Sequence, residues 1–247
     1  MLAIIGGSGL TQLSNLEVSR CEVVRTPWGE PSGALTFGTI ADCEVVFLAR
    51  HGYGHTIPPH HVNYRANIWA LHAQGVKNVV AVATVGGIRS DLEPGVLIVP
   101  DQIIDYTHGR AGTFFTGGDT GVHHVDFTLP YHQTLRAACL AAGRLVGETL
   151  IDGGVYAATQ GPRLETAAEI NRFERDGADM VGMTGMPEAA LAREIGLCYA
   201  AIAVVANRAA GRGAGTGISM SDIAAVIEQA MGRVRAVLAK LVVSDGG

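Results

Sequence analysis

Hydroxyl-bearing and basic residues follow several short apolar segments of this chain, a pattern suited to holding an oxyanion. Ser8 lies in a glycine-rich turn, Arg50 and His51 are adjacent, and Thr84 and Thr184 each close a further apolar segment. The guanidinium fork of arginine matches phosphate, and backbone N–H groups around a glycine-flanked hydroxyl add donors. Each feature alone is more typical of a tight turn or a surface pair. Their coincidence at strand ends, which converge on one crevice in open α/β sheets, favours a shared ligand site.

Two other kinds of ligand site are disfavoured by residue spacing. The glycine-rich turn lacks the G-x-G-x-x-G pattern of dinucleotide sites, because its last position is Gln12, and no triphosphate-loop motif is present. The histidines His51, His55, His60 and His61 crowd together with the density that a zinc site needs. No carboxylate or cysteine lies among them, so we predict no metal site.

The composition is typical of a chain with much buried surface. Of its 247 residues, 48% are hydrophobic and 17% are charged, which argues against disorder. The net charge of −5, with no basic run, excludes an electrostatic footprint for nucleic acid. The four scattered cysteines indicate neither a disulfide framework nor a zinc site. No apolar run reaches the roughly 18 residues of a membrane span, and the first strand leaves no room for a signal peptide, so we expect a cytoplasmic protein.

Short apolar segments alternate with helical patterns along the chain. Segments closed by glycine or a small polar residue predict strands at 2–5, 44–49, 78–84, 96–99, 155–158, 181–183 and 199–206. Apolar spacings of three and four predict helices at 63–75, 131–145, 165–176, 187–194 and 223–241, the last capped by Ser219 or Ser221. Residues 106–130 are expected to form a long loop. The alternation predicts an α/β fold in a single domain, 1–247, with a central sheet flanked by helices.

Four stretches of the sequence are similar to a known enzyme family. GGSGL (6–10), TPWGEPSG (26–33), RHGYGHTIPPHHVNYRANIWAL (50–71) and GMTGMPEAALARE (182–194) resemble the purine nucleoside phosphorylase / methylthioadenosine phosphorylase family. The similarity extends over most of the chain and implies a nucleoside phosphorylase-like fold with a mixed central sheet. It also implies a pentosyltransferase that cleaves purine nucleosides with inorganic phosphate as co-substrate and needs no other cofactor.

The resemblance assigns a phosphate-binding set. Its members would be Ser8, Arg50, His51, Ala83, Thr84 and Thr184, with His51 also acting in catalysis. The family often has threonine at the positions of Ser8 and Ala83. In this chain serine keeps a hydroxyl at position 8, whereas position 83 is alanine and the hydroxyl stands one residue later, on Thr84. We expect phosphate binding to tolerate both changes.

Asn207 and Glu165 indicate which purine is accepted. In this family a carboxylate at the position of Asn207 accompanies adenine, and a carboxamide accompanies hypoxanthine or guanine. An amide donates to purine N7, where negative charge develops as the glycosidic bond breaks, so Asn207 is also a candidate catalytic residue. Glu165 accepts from the N1–H that adenine lacks, although alone it would be interpreted as the start of a helix. The adenine branch has a second aspartate where Arg208 and Ala209 stand, so we expect a 6-oxopurine.

Apolar residues are placed around the sugar by the same resemblance. Leu164 and Val181 would flank the purine, and Met183 would lie against the ribose, although by itself Met183 is more typical of a core. Met220 and Ile223 would form an apolar 5′ wall, where inosine phosphorylases usually have a histidine. Such a wall suits a 5′-methylthio group.

Together these features predict phosphorolysis of S-methyl-5′-thioinosine to hypoxanthine and 5-(methylthio)ribose 1-phosphate, a purine salvage reaction. A broad inosine/guanosine phosphorylase, a methylthioadenosine phosphorylase and a non-catalytic nucleoside binder remain as alternatives. His124 resembles a residue that reaches the 5′ site of a neighbouring subunit, which implies a homotrimer and leaves a hexamer open.

Overall fold

The structure, a computed structural model, describes residues 1–118, 121–213 and 219–245. Within these ranges the strands are β1 (Leu2–Gly6), β2 (Glu17–Glu22), β3 (Leu35–Ile40), β4 (Cys43–Ala49), β5 (Asn78–Gly87), β6 (Leu97–Val99), β7 (Gln102–Asp105), β8 (Leu150–Asp152), β9 (Val155–Ala158), β10 (Met180–Gly182) and β11 (Cys198–Arg208). The α-helices are α1 (Tyr64–Ala73), α2 (Gln133–Leu145), α3 (Ala167–Arg175), α4 (Gly185–Glu194) and α5 (Met220–Asp245), and a short 3₁₀ helix covers Pro59–His61. In the part of the chain so described, each helix is too short or too polar to span a lipid bilayer.

The described strands form one mixed sheet that brings several strand ends to the same edge. Its order is β2-β3-β4-β1-β5-β10-β9-β7, while β11 pairs with β5 and β6, and β6 pairs with β8. Strands β4, β1, β5 and β11 run parallel, so their carboxyl ends share an edge. Strand β10 begins at Met180 opposite Gly87, the last residue of β5, and runs antiparallel to β5, so the residues after β10 run back alongside β5 toward Thr84.

Packing on both faces of the sheet holds these strand ends in place. Alternate residues of a strand point to opposite faces. Ile4 and Val80 belong to a core shared with α2 and α5, whereas Ile5 and Val79 belong to a second core shared with α1 and α4. All four are fully buried. The loops that follow the strands therefore start from fixed positions.

The predicted α/β fold is confirmed, with strands that the sequence patterns did not indicate. Each predicted strand and helix is present, with ends shifted by a few residues. Strands β2, β3, β7 and β8 were not predicted; β2 is exposed over most of its length and therefore lacks an apolar segment. Ser219 caps α5, because its Oγ accepts from the Asp222 N–H at 3.3 Å. The described parts of the predicted loop, 106–118 and 121–130, contain neither an α-helix nor a strand, and 119–120 lie outside the described residues.

Candidate active site

A cavity of about 700 Å³ opens at the edge where the strand ends meet. The turn after β1 contributes Ser8, the residues after β4 contribute Arg50 and His51, and β11 contributes Asn207. Thr184 enters from the turn between β10 and α4. The convergence expected from the sequence is therefore present.

Most of the predicted site residues line this one cavity. They are Ser8, Arg50, His51, Ala83, Thr84, Leu164, Glu165, Val181, Met183, Thr184, Asn207, Ala209, Met220 and Ile223. Arg208 does not line it, because its guanidinium turns away to Glu93, with Nε donating to Oε2 at 3.0 Å. His124 is exposed on the long loop, outside the cavity of its own chain, and its role in a neighbouring subunit stays a prediction.

Arg50 is held at one end of the cavity by a buried ion pair. Its Nε and Nη2 donate to both carboxylate oxygens of Glu188, at 2.7 and 2.8 Å, and its Nη1 donates to the Val82 carbonyl at 3.0 Å. Tyr199 also donates to Glu188, at 2.8 Å. Burial would lower the pKa of Arg50, but the charge and hydrogen bonds of Glu188 raise it above its ordinary value. Arg50 therefore stays charged and keeps two of its five N–H groups for a ligand.

Two tight turns close around this end of the cavity. A Cβ atom at Gly7 would lie 2.6 Å from the Val82 oxygen and 3.1 Å from Arg50 Nη1, so only glycine fits there. The residue that follows it, Ser8, enters the cavity beside Arg50. On the other side, the Thr184 N–H donates to the Tyr156 hydroxyl at 3.3 Å, and Thr184 lines the cavity.

His51 is a neutral group in this setting. Burial and the neighbouring Arg50 charge lower its pKa to about 4, and its bond to the Ile57 carbonyl only partly opposes them. Its Nδ1 lies 2.8 Å from that carbonyl oxygen. A carbonyl oxygen only accepts, so Nδ1 carries the proton and Nε2 is left as an acceptor.

Glu165 is oriented by a neighbour and does not cap a helix. Thr166 caps α3 in a capping box with Glu169, so the helix start needs nothing from Glu165. Instead, Glu165 Oε1 accepts from the Thr159 hydroxyl at 2.7 Å. This bond directs the carboxylate along the cavity wall and leaves Oε2 for a ligand N–H.

A bulge in β11 immediately precedes Asn207, which lines the same cavity. The register of β11 with β5 shifts between Val205 and Asn207, which then pairs with Gly86. Bulges beside active sites commonly re-aim a side chain. The Asn207 Nδ2 donates to the Arg208 carbonyl at 2.7 Å, so one amide proton and Oδ1 remain for a purine.

The start of α5 forms an apolar rim. Met220, Ile223 and Ile227 all line the cavity, and no histidine occurs in α5. Met220 is 67% exposed, whereas Ile227 packs so closely that a Cβ atom at Gly9 would lie 2.2 Å from it. The rim is therefore open at Met220 and tight at Ile227.

The clustered histidines form two ring pairs. His51 and His55 have ring centroids 4.8 Å apart, and His60 and His61 have centroids 4.1 Å apart. Across the described ranges, His, Cys, Asp and Glu side chains nowhere gather in a group of three that could hold a metal ion.

Comparison with known proteins agrees with this geometry. The model of the phosphorylase superfamily matches residues 1–243. The chain belongs to this superfamily. A probable S-methyl-5′-thioinosine phosphorylase of Pseudomonas syringae pv. tomato is 52% identical over 239 residues, which cover 97% of each chain. A 6-oxopurine nucleoside phosphorylase of Pyrococcus furiosus is 46% identical over 92% of this chain and 86% of its own.

A solved structure is similar over nearly the whole superfamily domain. Methylthioadenosine phosphorylase of Schistosoma mansoni, in complex with adenine, has a TM-score of 0.94 and 32% identity, covering 99% of this chain and 91% of that chain. The family resemblance and the nucleoside phosphorylase fold predicted from the motifs are confirmed. This member of the superfamily is thus an enzyme of the pentosyltransferase type.

Three residues of this phosphorylase escaped the sequence analysis. Glu188 was part of a quoted motif, but its partner Arg50 is 138 residues away and no local pattern joins them. Thr159 lies six residues before Glu165, and no regular turn or helix pattern brings side chains at that spacing together. Arg110 donates to backbone carbonyls, and since every residue has a carbonyl, the residue types in the sequence do not reveal its partners.

Proposed function

We propose that this enzyme catalyses the phosphorolysis of S-methyl-5′-thioinosine, giving hypoxanthine and 5-(methylthio)ribose 1-phosphate. The observation that carries the proposal is the composition of one cavity. Glu165 and Asn207, which match a 6-oxopurine, share it with Arg50 and His51, which match phosphate. The apolar start of α5 lines the remaining side, where a 5′-methylthio group would lie.

In the proposed reaction, a phosphate oxygen forms a bond to C1′ of the nucleoside while the C1′–N9 bond breaks. The electron pair of that bond passes into the purine, and Asn207 stabilises the charge by donating to N7. Glu165 accepts a hydrogen bond from N1–H. The purine has this N–H group both in the nucleoside and after cleavage, so the bond is kept throughout the reaction. The purine gains one proton from water and leaves as neutral hypoxanthine, while the attacking hydrogen phosphate releases its one proton to water as it becomes the sugar phosphate. No side chain forms a covalent intermediate.

Inorganic phosphate is the only co-substrate in this proposal, and no metal or other cofactor takes part. The P–OH group of hydrogen phosphate donates a hydrogen bond to Nε2 of neutral His51, which directs the charged oxygens toward Arg50. The remaining donors at that end of the cavity are supplied by Ser8, Thr84, Thr184 and the backbone at Ala83.

One observation favours a second candidate. Because Met220 is 67% exposed, the 5′ side is less enclosed than the phosphate end. An open rim would also admit the 5′-hydroxyl of inosine, as expected of a broad 6-oxopurine nucleoside phosphorylase. The Pyrococcus furiosus relative is named a 6-oxopurine nucleoside phosphorylase, which supports this second candidate. The Pseudomonas syringae relative is named a probable S-methyl-5′-thioinosine phosphorylase, which supports the first.

The proposal includes a cytoplasmic homotrimer. His124 lies on the long loop near Val122, an apolar side chain that is 80% exposed and suits a contact with another subunit. Sedimentation of the purified protein tests the assembly, and a monomer would contradict it. In a trimer, His124→Ala is expected to raise KM for the nucleoside several-fold without changing KM for phosphate.

Product analysis with and without phosphate tests the reaction itself. Methylthioinosine is incubated with the enzyme, and both products are quantified by liquid chromatography and mass spectrometry. We expect hypoxanthine and the sugar phosphate in equal amounts, and neither without phosphate. Hypoxanthine formed without phosphate would indicate a hydrolase, and saturable binding without product would indicate a binding protein; either result contradicts the proposal.

A further inference from the structure

Arg110 makes an unusual set of hydrogen bonds beside the active site. Its Nη1 donates to the carbonyls of Met183 and Met186, at 2.8 and 2.6 Å. Its Nη2 donates to the carbonyls of Gln160 and Thr159, at 2.8 and 3.2 Å, and its Nε donates to Gln160 Oε1 at 3.2 Å. All five N–H groups of the guanidinium therefore have acceptors. Within the described residues, no carboxylate forms an ion pair with Arg110.

The four carbonyls belong to the two turns that carry opposite ends of the site. Thr159 and Gln160 lead into the turn that bears Glu165, and the Thr159 hydroxyl itself orients that carboxylate. Met183 and Met186 stand on either side of Thr184, at the start of the helix that carries Glu188. One side chain thus joins the base end of the site to the phosphate end.

The two turns also touch each other directly, so their spacing has little tolerance. A Cβ atom at Gly161 would lie 2.4 Å from the Met183 sulfur. Arg110 does not line the cavity, so it does not contact a substrate there. The loop that carries Arg110 is fixed by contacts of Phe114. The Phe114 N–H donates to Glu194 at 2.8 Å, and the Phe114 ring packs edge-on against Trp28.

We propose that Arg110 is a positioning residue that fixes the distance between the base-binding turn and the phosphate-binding turn; this inference rests on the proposed function. Lysine cannot replace it, because an ammonium is a point charge that cannot reach four diverging carbonyls as a planar fork does. Loss of the fork lets the turns move apart, which weakens the binding of nucleoside and phosphate together.

The fold offers a matched control in Arg136. This arginine also donates to backbone carbonyls, those of Pro100 and Val99 at 2.8 and 3.1 Å, and it lies outside the cavity. Unlike Arg110, it also forms an ion pair with Asp152 at 2.6 Å, so its replacement by lysine removes at least as much from the fold. Arg136→Lys therefore measures how far the loss of a carbonyl-binding guanidinium lowers stability when the active site is not involved. The variants Arg110→Lys and Arg136→Lys are compared for Tm, for kcat and for the KM of each substrate.

We expect Arg110→Lys to raise both KM values at least fivefold and to lower kcat/KM at least 30-fold, while Arg136→Lys keeps both KM values within twofold. A purely structural role would lower the active fraction, and so kcat, with both KM values unchanged; that result overturns the inference. So does an Arg110→Lys enzyme within threefold of the wild type. If the wild type itself cleaves no purine nucleoside, the proposed function fails and the inference falls with it.

Discussion

The two ends of the cavity are built differently. At the phosphate end Arg50 is 1% exposed and Glu188 is 0% exposed, and both are joined through several hydrogen bonds. At the nucleoside end Leu164 is 39% exposed and Met220 is 67% exposed, and both lie on a turn or a helix start. A preformed buried group thus suits a ligand of fixed shape, such as the phosphate proposed for this end. The variable part of the substrate is matched by residues that can change without disturbing the core.

The buried end holds a charge pair, which makes it rigid and also vulnerable. Breaking a buried pair by removing one partner costs about 3–5 kcal/mol, because the remaining charge is left uncompensated. The nucleoside end depends on apolar contacts and on the hydrogen bonds of the Asn207 amide and the Glu165 carboxylate, and a hydrogen bond of these kinds contributes about 0.5–3 kcal/mol. Substitutions at the two ends should therefore differ in size and in kind.

The largest effect is expected from Glu188→Gln. The substitution leaves the Arg50 charge buried without its partner, so we expect a loss of about 3 kcal/mol or more in the free energy of unfolding and a fall in kcat/KM of at least ~100-fold. Urea denaturation and steady-state kinetics measure the two. Tyr199→Phe is the control, because it removes one hydrogen bond from Glu188 but keeps the ion pair. Equal losses in the two variants would contradict the importance of the pair.

A change of preference rather than a loss is expected from Asn207→Asp. A protonated aspartate donates to N7 and accepts from a 6-amino group, so the ratio of kcat/KM for methylthioadenosine to that for methylthioinosine should rise about 100-fold. Asn207→Ala should slow both reactions and leave that ratio nearly unchanged. A ratio within threefold of wild type in the aspartate variant would show that this position does not select the base.

Mild acid is expected to destabilise the phosphate end through His51. Its pKa is lowered to about 4 in the folded protein from 6.5, so the unfolded chain binds more protons between these values. Stability is therefore full above pH 6.5 and falls as the pH drops toward 4, by about 2 kcal/mol between pH 8 and pH 5. Urea denaturation of the wild type and of His51→Gln across this range isolates the contribution. An identical pH dependence in both proteins would contradict it.

The smallest effect is expected from Thr159→Val. The substitution keeps the shape but removes the donor to Glu165 Oε1, so the carboxylate is less well oriented toward the base. We expect kcat/KM for methylthioinosine to fall about tenfold, equivalent to about 1.4 kcal/mol, with KM for phosphate unchanged. Thr107→Val is the control, since its hydroxyl bonds Asp105 outside the cavity. A similar fall in both variants would assign no special role to Thr159.

The sequence predicted the parts of the fold and site that leave a local pattern. Apolar segments closed by glycine or a polar residue located the central strands and therefore the convergence of Ser8, Arg50 and Asn207. Strand β2 escaped because it is solvent-exposed and has no apolar segment to mark it. Glu188 and Arg110 escaped because their partners are distant in the chain or are backbone atoms. Arg208 does not line the cavity, because neighbouring residues of a strand point to opposite faces and its guanidinium bonds Glu93.

The central claim is that the cavity combines a 6-oxopurine end with a 5′-methylthio end, and a competition assay tests it most directly. Methylthioinosine, methylthioadenosine and inosine are supplied in equal amounts with limiting phosphate, and the product ratio gives the ratio of their kcat/KM values. We predict that methylthioinosine is consumed well ahead of both others. If methylthioadenosine is consumed first, Glu165 and Asn207 do not select the base; if inosine keeps pace, the apolar rim at Met220 does not select the 5′ group.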